Sequence, residues 1–204
     1  MIERLKRPIR RYLARRRWWK ASDRKLNLGC GRNRQEGYLN VDVRAIPGVD
    51  MAADMKKCVR VFENECNEVY LSHVVEHFGY PGKAGRNTPD TVLGFLQQIH
   101  QMLRPSGVIR VAVPDFAALA KLYIEGKQPL SPRLAGRLCG EQDYPENLHK
   151  CLFDYDYLKK CLEDTGFTEI QKWDPRTCGL SRDSSFDELD GISTSLNLMA
   201  RKTK

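Results

Sequence analysis

The sequence of 204 residues lacks the features that would place it in several large classes of protein. No apolar run approaches roughly 18 residues, so nothing predicts a membrane-spanning helix. No apolar segment follows the basic N-terminus, so no secretory signal is predicted. The seven cysteines include no C-x-x-C pair and are odd in number, which argues against a disulfide framework or a zinc site. These absences favour a cytoplasmic protein in a reducing environment.

Acidic residues are scarce in the first 25 positions, which hold eleven Lys or Arg against Glu3 and Asp23. The rest of the chain is close to neutral, so the net charge of +8 belongs to an N-terminal arm. A domain with one whole face built for nucleic acid is therefore disfavoured. We predict a basic arm at 1–24 and a globular domain at 25–204.

The arm has the composition of a cationic helix. Pro8 is suited to the first position of a helix, which would place four apolar or aromatic residues near one face. These are Ile9, Tyr12, Leu13 and Trp19. Residues 4–20 also carry nine basic residues and no acid, and the pair Trp18–Trp19 favours an anionic membrane surface. Packing on the domain, exposure to solvent and, with less support, binding to nucleic acid stay open.

Apolar patterns along the domain alternate between strand and helix periods. Strands are predicted at 26–28, 38–43, 49–54, 68–72, 108–113, 167–173 and 194–200. Helices are predicted at 59–65, from a Thr88-Pro89-Asp90 start to 103, at 115–125 and at 155–164. This order predicts an α/β fold, a Rossmann-like, doubly wound, mainly parallel sheet with an antiparallel C-terminal strand pair.

The turn Gly29-Cys30-Gly31 follows the first strand, where open α/β sheets bind ligands. Its backbone N–H groups could meet a carboxylate or a phosphate. A dinucleotide motif would need a third glycine, but Arg34 stands there, and Asp42 comes too early for its acid. S-adenosylmethionine needs only the turn, an acid for its ribose hydroxyls and a slot for adenine, so we predict this cofactor.

With these motifs the chain resembles the class I S-adenosylmethionine-dependent methyltransferases. Within them it is most similar to a small predicted-methyltransferase (methyltransferase type 11-like) group that is often found among genes for surface glycans. The resemblance runs from about Lys25 to Lys202. It rests on "LNLGCG", "YLNVDV", "VYLSHVVEHF", "MLRPSGVIRVAVPD" and "LHKCLFDYDYLKKCLEDTGF", in the order of the family.

The resemblance implies roles for individual residues. Gly29, Cys30 and Gly31 would line the methionine part of the cofactor, and Asp42 would hold the ribose. Asp54 would take the adenine amino group, with Met55 packed on the ring. Ser72 and His73 would face the sulfonium and the methyl acceptor.

The sequence departs from the family in two places. Only residues 29–37 separate the first two strands, too few for the usual crossover helix, so a shortened first helix is expected. The segment after strand four reads Ser72-His73-Val74, without the Asn/Asp-Pro-Pro-aromatic motif of enzymes that methylate nucleobase amines. Methylation of base amino groups therefore loses support.

Histidines are the candidate general bases, because the pKa of an imidazole lies near neutrality. We select His73 and His149 as the catalytic candidates. "HVVEH" resembles the zinc motif H-E-x-x-H only in composition, so no metal is predicted. Asp115 is expected to cap a helix rather than to contact substrate.

The sequence therefore predicts a methyltransferase that acts on a small molecule or a glycan by in-line transfer to oxygen, with S-adenosylhomocysteine as product. The acceptor would be set by loops 79–91 and 126–148. Two alternatives remain: a non-catalytic S-adenosylmethionine-binding adaptor, and an RNA methyltransferase that uses the basic arm. If the arm binds a membrane, the protein is peripheral at its inner face.

Overall fold

The computed structural model describes residues 12–81 and 88–203. A seven-stranded sheet has the order β3-β2-β1-β4-β5-β9-β6, and a small hairpin, β7-β8, stands apart. The strands of the large sheet are β1 (Lys25–Leu28), β2 (Tyr38–Asp42), β3 (Met51–Ala52), β4 (Cys66–Ser72), β5 (Leu103–Pro114), β6 (Phe167–Lys172) and β9 (Ser195–Lys202). The hairpin is β7 (Glu188–Leu189) and β8 (Ile192–Ser193).

The first five strands run parallel, and β9 is antiparallel to both β5 and β6. The predicted mainly parallel sheet with an antiparallel C-terminal pair is therefore confirmed. The largest differences in length from the predicted strands are at β3, which is shorter, and at β5, which begins at Leu103 instead of Val108.

One face of the large sheet is apolar. Register places Leu26 beside Leu39 on β2 and Val69 on β4, and Val69 pairs in turn with Ile109 on β5. Because side chains alternate across a strand, these residues share a face. Buried side chains of three helices cover that face and complete the main core. These helices are α2 (Met55–Phe62), α3 (Val92–Met102) and α6 (Tyr155–Asp164).

Side-chain caps fix where the helices begin. Asp54 caps α2 through the Lys56 N–H, so this helix starts earlier than predicted. Thr91 caps α3 through the Gly94 N–H, so the predicted start at Thr88-Pro89-Asp90 is wrong by one turn. The predicted α6 is confirmed, with Asp154 as its cap.

The opposite face of the sheet is polar near the link between β1 and β2. Residues 29–37 form turns without a helix, as the short link requires. The fully buried Asn40 holds this link: its Oδ1 accepts from Asn27 Nδ2 at 2.9 Å and Gln35 N at 2.8 Å. Its Nδ2 donates to the Gln35 carbonyl at 3.1 Å and to Asp50 Oδ2 at 3.0 Å. A side-chain network thus replaces the usual first helix.

The irregular segment 174–193 covers the rest of the polar face. Tyr70 donates to Asp183 Oδ2 at 2.8 Å, and Gln35 exchanges two hydrogen bonds with the backbone of Ser181. Tyr70 and Trp173 pack edge to face, with ring centroids 6.0 Å apart. Within the described residues, the sheet is therefore covered by α-helices on one face and by segment 174–193 on the other.

Helix α1 (residues 12–20) packs on the domain through a different side than predicted. Tyr12, Leu13 and Trp19 are exposed, whereas Trp18 is 5% exposed and lies in the main core. The Trp18 indole donates to the Lys25 carbonyl at 2.8 Å. Ile9 lies outside the described residues. The alternative that this face packs on the domain is wrong for Tyr12 and Leu13, because the indole of Trp18 packs beside Phe62 instead.

The two remaining helices stand above the carboxyl end of the sheet. They are α4 (Phe116–Ile124) and α5 (Pro132–Cys139). With the β7-β8 hairpin they bury a small separate cluster of leucines. Asp115 caps α4 through the Ala118 N–H, as expected. In the described part of the chain, every helix is too short or too polar to cross a membrane.

We predict that Asn40→Ala lowers the free energy of unfolding by about 2–4 kcal/mol, since it leaves several buried polar groups unpaired. Denaturant unfolding measures the change. The control is Asn67→Ala, which removes a half-buried amide that accepts one hydrogen bond, from Arg24 N. Equal losses in the two variants would contradict the role given to Asn40.

Candidate functional site

A cavity of about 300 Å³ opens at the carboxyl ends of β1, β2 and β4, and we call it the first cavity. It lies where the chain order reverses on either side of β1, the position at which doubly wound sheets bind ligands. Its apolar lining includes Val43, Met55, Val74 and Phe78. Its charged lining includes Asp42, Asp54, Arg44, Lys56 and Lys150.

Gly29 forms the base of this cavity. Its φ of +70° lies in the left-handed region, and an added Cβ would come within 2.5 Å of Val74 Cγ2. Only glycine fits this position. A ligand can therefore approach the backbone closely at the end of β1.

The N–H groups of the turn already have partners inside the protein. Gly29 N and Cys30 N donate to the Val41 carbonyl at 2.8 and 3.0 Å, and Gly31 N donates to Asp42 Oδ2 at 2.8 Å. The expectation that they would bind a carboxylate or a phosphate is therefore wrong. The link between β1 and β2 is so short that the turn closes directly onto β2.

Asp42 ends β2 and is almost fully buried at the edge of the first cavity. Its Oδ1 accepts from Arg44 N at 2.9 Å and Arg44 Nε at 3.2 Å. The Arg44 guanidinium also lies 4.4 Å from the centroid of the Tyr144 ring, so it links Asp42 to the loop 140–148. A carboxylate offers about four acceptor positions, which leaves capacity for a hydroxyl on Oδ2.

The other residues predicted for the cofactor divide into two groups. Asp54 and Met55 line the first cavity, although Asp54 also caps α2. Cys30, Gly31 and Ser72 are not among its lining residues in the described part of the chain. Burial raises the pKa of the Cys30 thiol to about 12, so this thiol is protonated at neutral pH. Cys30 and Gly31 thus belong to the turn without lining the cavity.

His73 connects the first cavity to the other half of the sheet. It follows β4 with a φ of +53° and lines the first cavity, while its Nε2 lies 3.2 Å from Ser195 Oγ at the start of β9. Burial lowers the pKa of His73 to about 3, so the ring is neutral at pH 7. His73 therefore lies directly after β4, where the sequence predicted it.

A second group of polar side chains adjoins His73. His73 Nδ1 and His149 Nε2 lie 3.5 and 3.9 Å from Glu76 Oε1. The His77 and His149 rings meet edge to face with centroids 5.0 Å apart, and His77 also lies beside the His73 backbone carbonyl. Burial raises the pKa of Glu76 to about 8 and lowers that of His149 to about 4. Unlike His73, His149 does not line the first cavity.

A second cavity of about 570 Å³ lies at the same edge of the sheet, beyond β5. Its walls combine an aromatic ring with many hydrogen-bonding groups. They include Asp115, Trp173, Asp187, Ser193, Ser195 and Asn197. Pro114 pairs with Ser195 in the sheet, so the end of β5 and the start of β9 meet here.

Sequence reasoning missed most of this second cavity. Asp187 is held by Arg137, which donates Nε to Oδ2 at 2.6 Å and Nη2 to Oδ1 at 2.8 Å. Ser195 and Asn197 come from a strand that reads only as apolar and polar alternation. Asp115 was noted as a cap, and the structure gives it that role as well as a place in the cavity wall.

The sequence profile of a family described as "Methyltransferase domain" matches residues 1–172. The chain belongs to this methyltransferase-domain family. Its membership confirms an enzyme of the S-adenosylmethionine-dependent class. No curated protein matches the chain.

Solved structures support the fold of this methyltransferase. A SAM dependent methyltransferase from Archaeoglobus fulgidus matches with a TM-score of 0.52 and 18% identity, over 96% of this chain and 94% of that chain. The CurJ carbon methyltransferase matches with a TM-score of 0.53 and 14% identity, over 89% of this chain and 49% of that chain. The trans-methyltransferase CalH, in complex with SAH, matches with a TM-score of 0.51 and 16% identity, over 97% of this chain and 55% of that chain. The chain thus spans about half the length of the last two.

The first cavity fits S-adenosylmethionine, the cofactor of this enzyme class. Gly29 gives close access to the backbone, Asp42 offers a buried carboxylate for ribose hydroxyls, and Met55 offers apolar surface for adenine. Arg44, Lys56 or Lys150 would meet the cofactor carboxylate, since the turn has no N–H group left for it. The individual residue roles stay predictions.

We predict that Asp42→Asn weakens S-adenosylmethionine binding by about 1.5–3 kcal/mol, because an amide oxygen accepts a ribose hydroxyl less strongly than a carboxylate does. Calorimetry measures the affinity, and NAD is expected not to bind. The control is Glu146→Gln, an exposed acid that lines the same cavity. Unchanged affinity in Asp42→Asn would remove this residue from the ribose site.

Proposed function

We propose that this methyltransferase transfers the methyl group of S-adenosylmethionine to an oxygen atom of a polyhydroxylated small molecule or a glycan. The second cavity carries the proposal. It holds several carboxylates, hydroxyls and an amide around the Trp173 ring, a lining that suits a ligand with many hydroxyl groups. The resemblance of the sequence to a group often found among genes for surface glycans favours the same acceptor class.

We infer that His73 lies between the two ligands. It lines the first cavity, and its partner Ser195 lines the second. Cofactor in one cavity and acceptor in the other would therefore meet at His73. This supports transfer across the end of β4, where the sequence placed the reacting atoms.

The hydrogen bonds around His73 assign its tautomer. Asn197 Nδ2 donates to the Ser185 carbonyl at 2.9 Å. Asn197 Oδ1 is therefore the acceptor, and it accepts a hydrogen bond from the Ser195 hydroxyl at 3.0 Å. Ser195 has one proton, so His73 Nε2–H must donate to Ser195 Oγ. His73 then has no lone pair directed at the second cavity, which supports a positioning role rather than that of a general base.

When bound, S-adenosylmethionine supplies a methyl group on a positively charged sulfur, which is an excellent leaving group. The chain then has to align the acceptor oxygen and exclude water. Asp115 and Asp187 line the second cavity, where either carboxylate could accept the proton that the methylated hydroxyl loses. Asp115 is the better candidate for this role. The Asp187 carboxylate is already paired with Arg137, which keeps its pKa below its usual range.

The basic arm supports an accompanying proposal, that the enzyme works at the cytoplasmic face of an anionic membrane. Arg15, Arg16, Arg17 and Lys20 are all exposed on α1. The buried Trp18 anchors the helix to the domain and is not available to lipid, so the exposed Tyr12 and Trp19 are the aromatic residues of α1 that could contact it. Lipid-linked glycans would give this surface a purpose.

We predict that Ser195→Ala lowers kcat/KM for the acceptor by about 1–3 kcal/mol of transition-state stabilisation, with cofactor affinity unchanged. The loss arises because His73 and Asn197 lose their common partner. Ser181→Ala, at an exposed serine outside both cavities, is the control. A parallel loss of cofactor binding or of thermal stability would show that Ser195 supports the fold and not the acceptor site.

The acceptor class is tested with labelled S-adenosylmethionine and separated cell-extract fractions of small molecules, glycans and RNA. Mass spectrometry of the labelled product identifies the methylated atom. We expect methyl ethers in the small-molecule or glycan fraction. Label in RNA would favour the RNA methyltransferase, and cofactor binding without transfer to any fraction would favour the adaptor.

For the arm, replacing Arg15, Arg16, Arg17 and Lys20 by Gln should reduce co-sedimentation with anionic vesicles by at least about tenfold, since each basic residue contributes about 1 kcal/mol. Trp18 is kept so that the domain stays folded. The matched control replaces four exposed lysines elsewhere, Lys57, Lys121, Lys127 and Lys160. Equal effects, or binding that ignores lipid charge, would contradict a membrane role for the arm.

A further inference from the structure

We propose that Glu76, His77 and His149 form a binding site for a divalent first-row transition-metal ion beside the first cavity. One candidate ligand atom from each of these residues lies within 4.8 Å of the other two. The sequence motif "HVVEH" gave no support for this site, because its third member comes from a residue more than seventy positions further on. The fold brings that residue into place.

The Glu76 carboxylate is the first independent observation. The residue is 1% exposed, and neither carboxylate oxygen has a hydrogen-bond partner among the residues that the structure describes. A buried polar group without a partner is costly, and native proteins rarely keep one without a reason. A cation bound between Glu76 and the two imidazoles would satisfy both oxygens.

The orientation of the two imidazoles is the second observation. His77 Nδ1 lies 3.1 Å from the Leu148 carbonyl, and His149 Nδ1 lies 3.1 Å from the Arg137 carbonyl. A carbonyl oxygen only accepts, so His149 Nδ1 carries the hydrogen and the neutral His149 ring has its lone pair on Nε2. His77 lies beside two backbone carbonyls, those of Leu148 and His73, which hold its ring in place. Metal-binding histidines are commonly held in this way by backbone carbonyls. His149 Nε2 is directed at Glu76.

The ligand set indicates which ion. Two imidazoles and one carboxylate suit Zn²⁺, Mn²⁺ or Fe²⁺, whereas Mg²⁺ and Ca²⁺ prefer oxygen ligands. Bonds of about 2.0–2.2 Å require the three side chains to move slightly closer together. His77 lines the first cavity, so an ion here would lie next to the cofactor. A role in binding the acceptor oxygen would rest on the proposed O-methylation.

The test is calorimetry of the full chain, stripped with a chelator, with Zn²⁺ and Mn²⁺ as probes and Mg²⁺ for comparison. We expect one ion per chain, and at least about 100-fold weaker binding in Glu76→Gln and in His149→Asn. The matched controls are Glu146→Gln, an exposed acid that lines the same cavity, and His100→Asn in α3. Both controls should bind like the unaltered chain.

Binding that is absent, or that is unchanged in Glu76→Gln and His149→Asn, would overturn the site. If these variants do not fold, Co²⁺ bound to the unaltered chain gives a second readout. A Co²⁺ ion of low coordination number absorbs visible light, and this absorption should be lost when Zn²⁺ displaces the ion. Methyl transfer is measured separately, with and without the ion. Metal binding without hydroxyl methylation would refute the proposed function and leave the metal site standing. Hydroxyl methylation without metal binding would refute the metal site and leave the proposed function standing.

Discussion

The buried side chain of Asn40 is the constraint on which the half of the sheet around the first cavity depends. The link between β1 and β2 is too short for a helix, so its polar backbone groups need partners from elsewhere. Asn40 supplies them in the middle of β2, where a strand residue would ordinarily be apolar. The same link carries Gly29, so the shape of the first cavity follows from this one amide.

Much of the fold could be predicted from the sequence because hydrophobic periodicity is a local signal. The strands of the large sheet and α6 followed from it, and Gly29 and Asp42 followed from the turn between two strands. Errors arose where two local signals competed. Thr88 and Thr91 are both capping residues, and the choice between them depends on how α3 meets the core.

The rest could not be predicted, because it depends on contacts between distant parts of the chain. Ser195 faces His73 only once β9 pairs with β5, and the hydroxyl has no local signature. Glu76 reads as an ordinary acid, and only packing shows that its carboxylate is buried. The free N–H groups expected at Gly31 were lost for the same reason, since Asp42 reaches back to the turn.

The segment 174–193 has two tasks that meet in one stretch of chain. It covers the polar face of the sheet through Tyr70 and Gln35, and it forms a wall of the second cavity. The residues around the first cavity come mostly from the other half of the sheet. If the acceptor binds in the second cavity, as we propose, related proteins can diverge in acceptor by changing this one segment while retaining the first cavity, provided that each new version still protects the sheet beneath it.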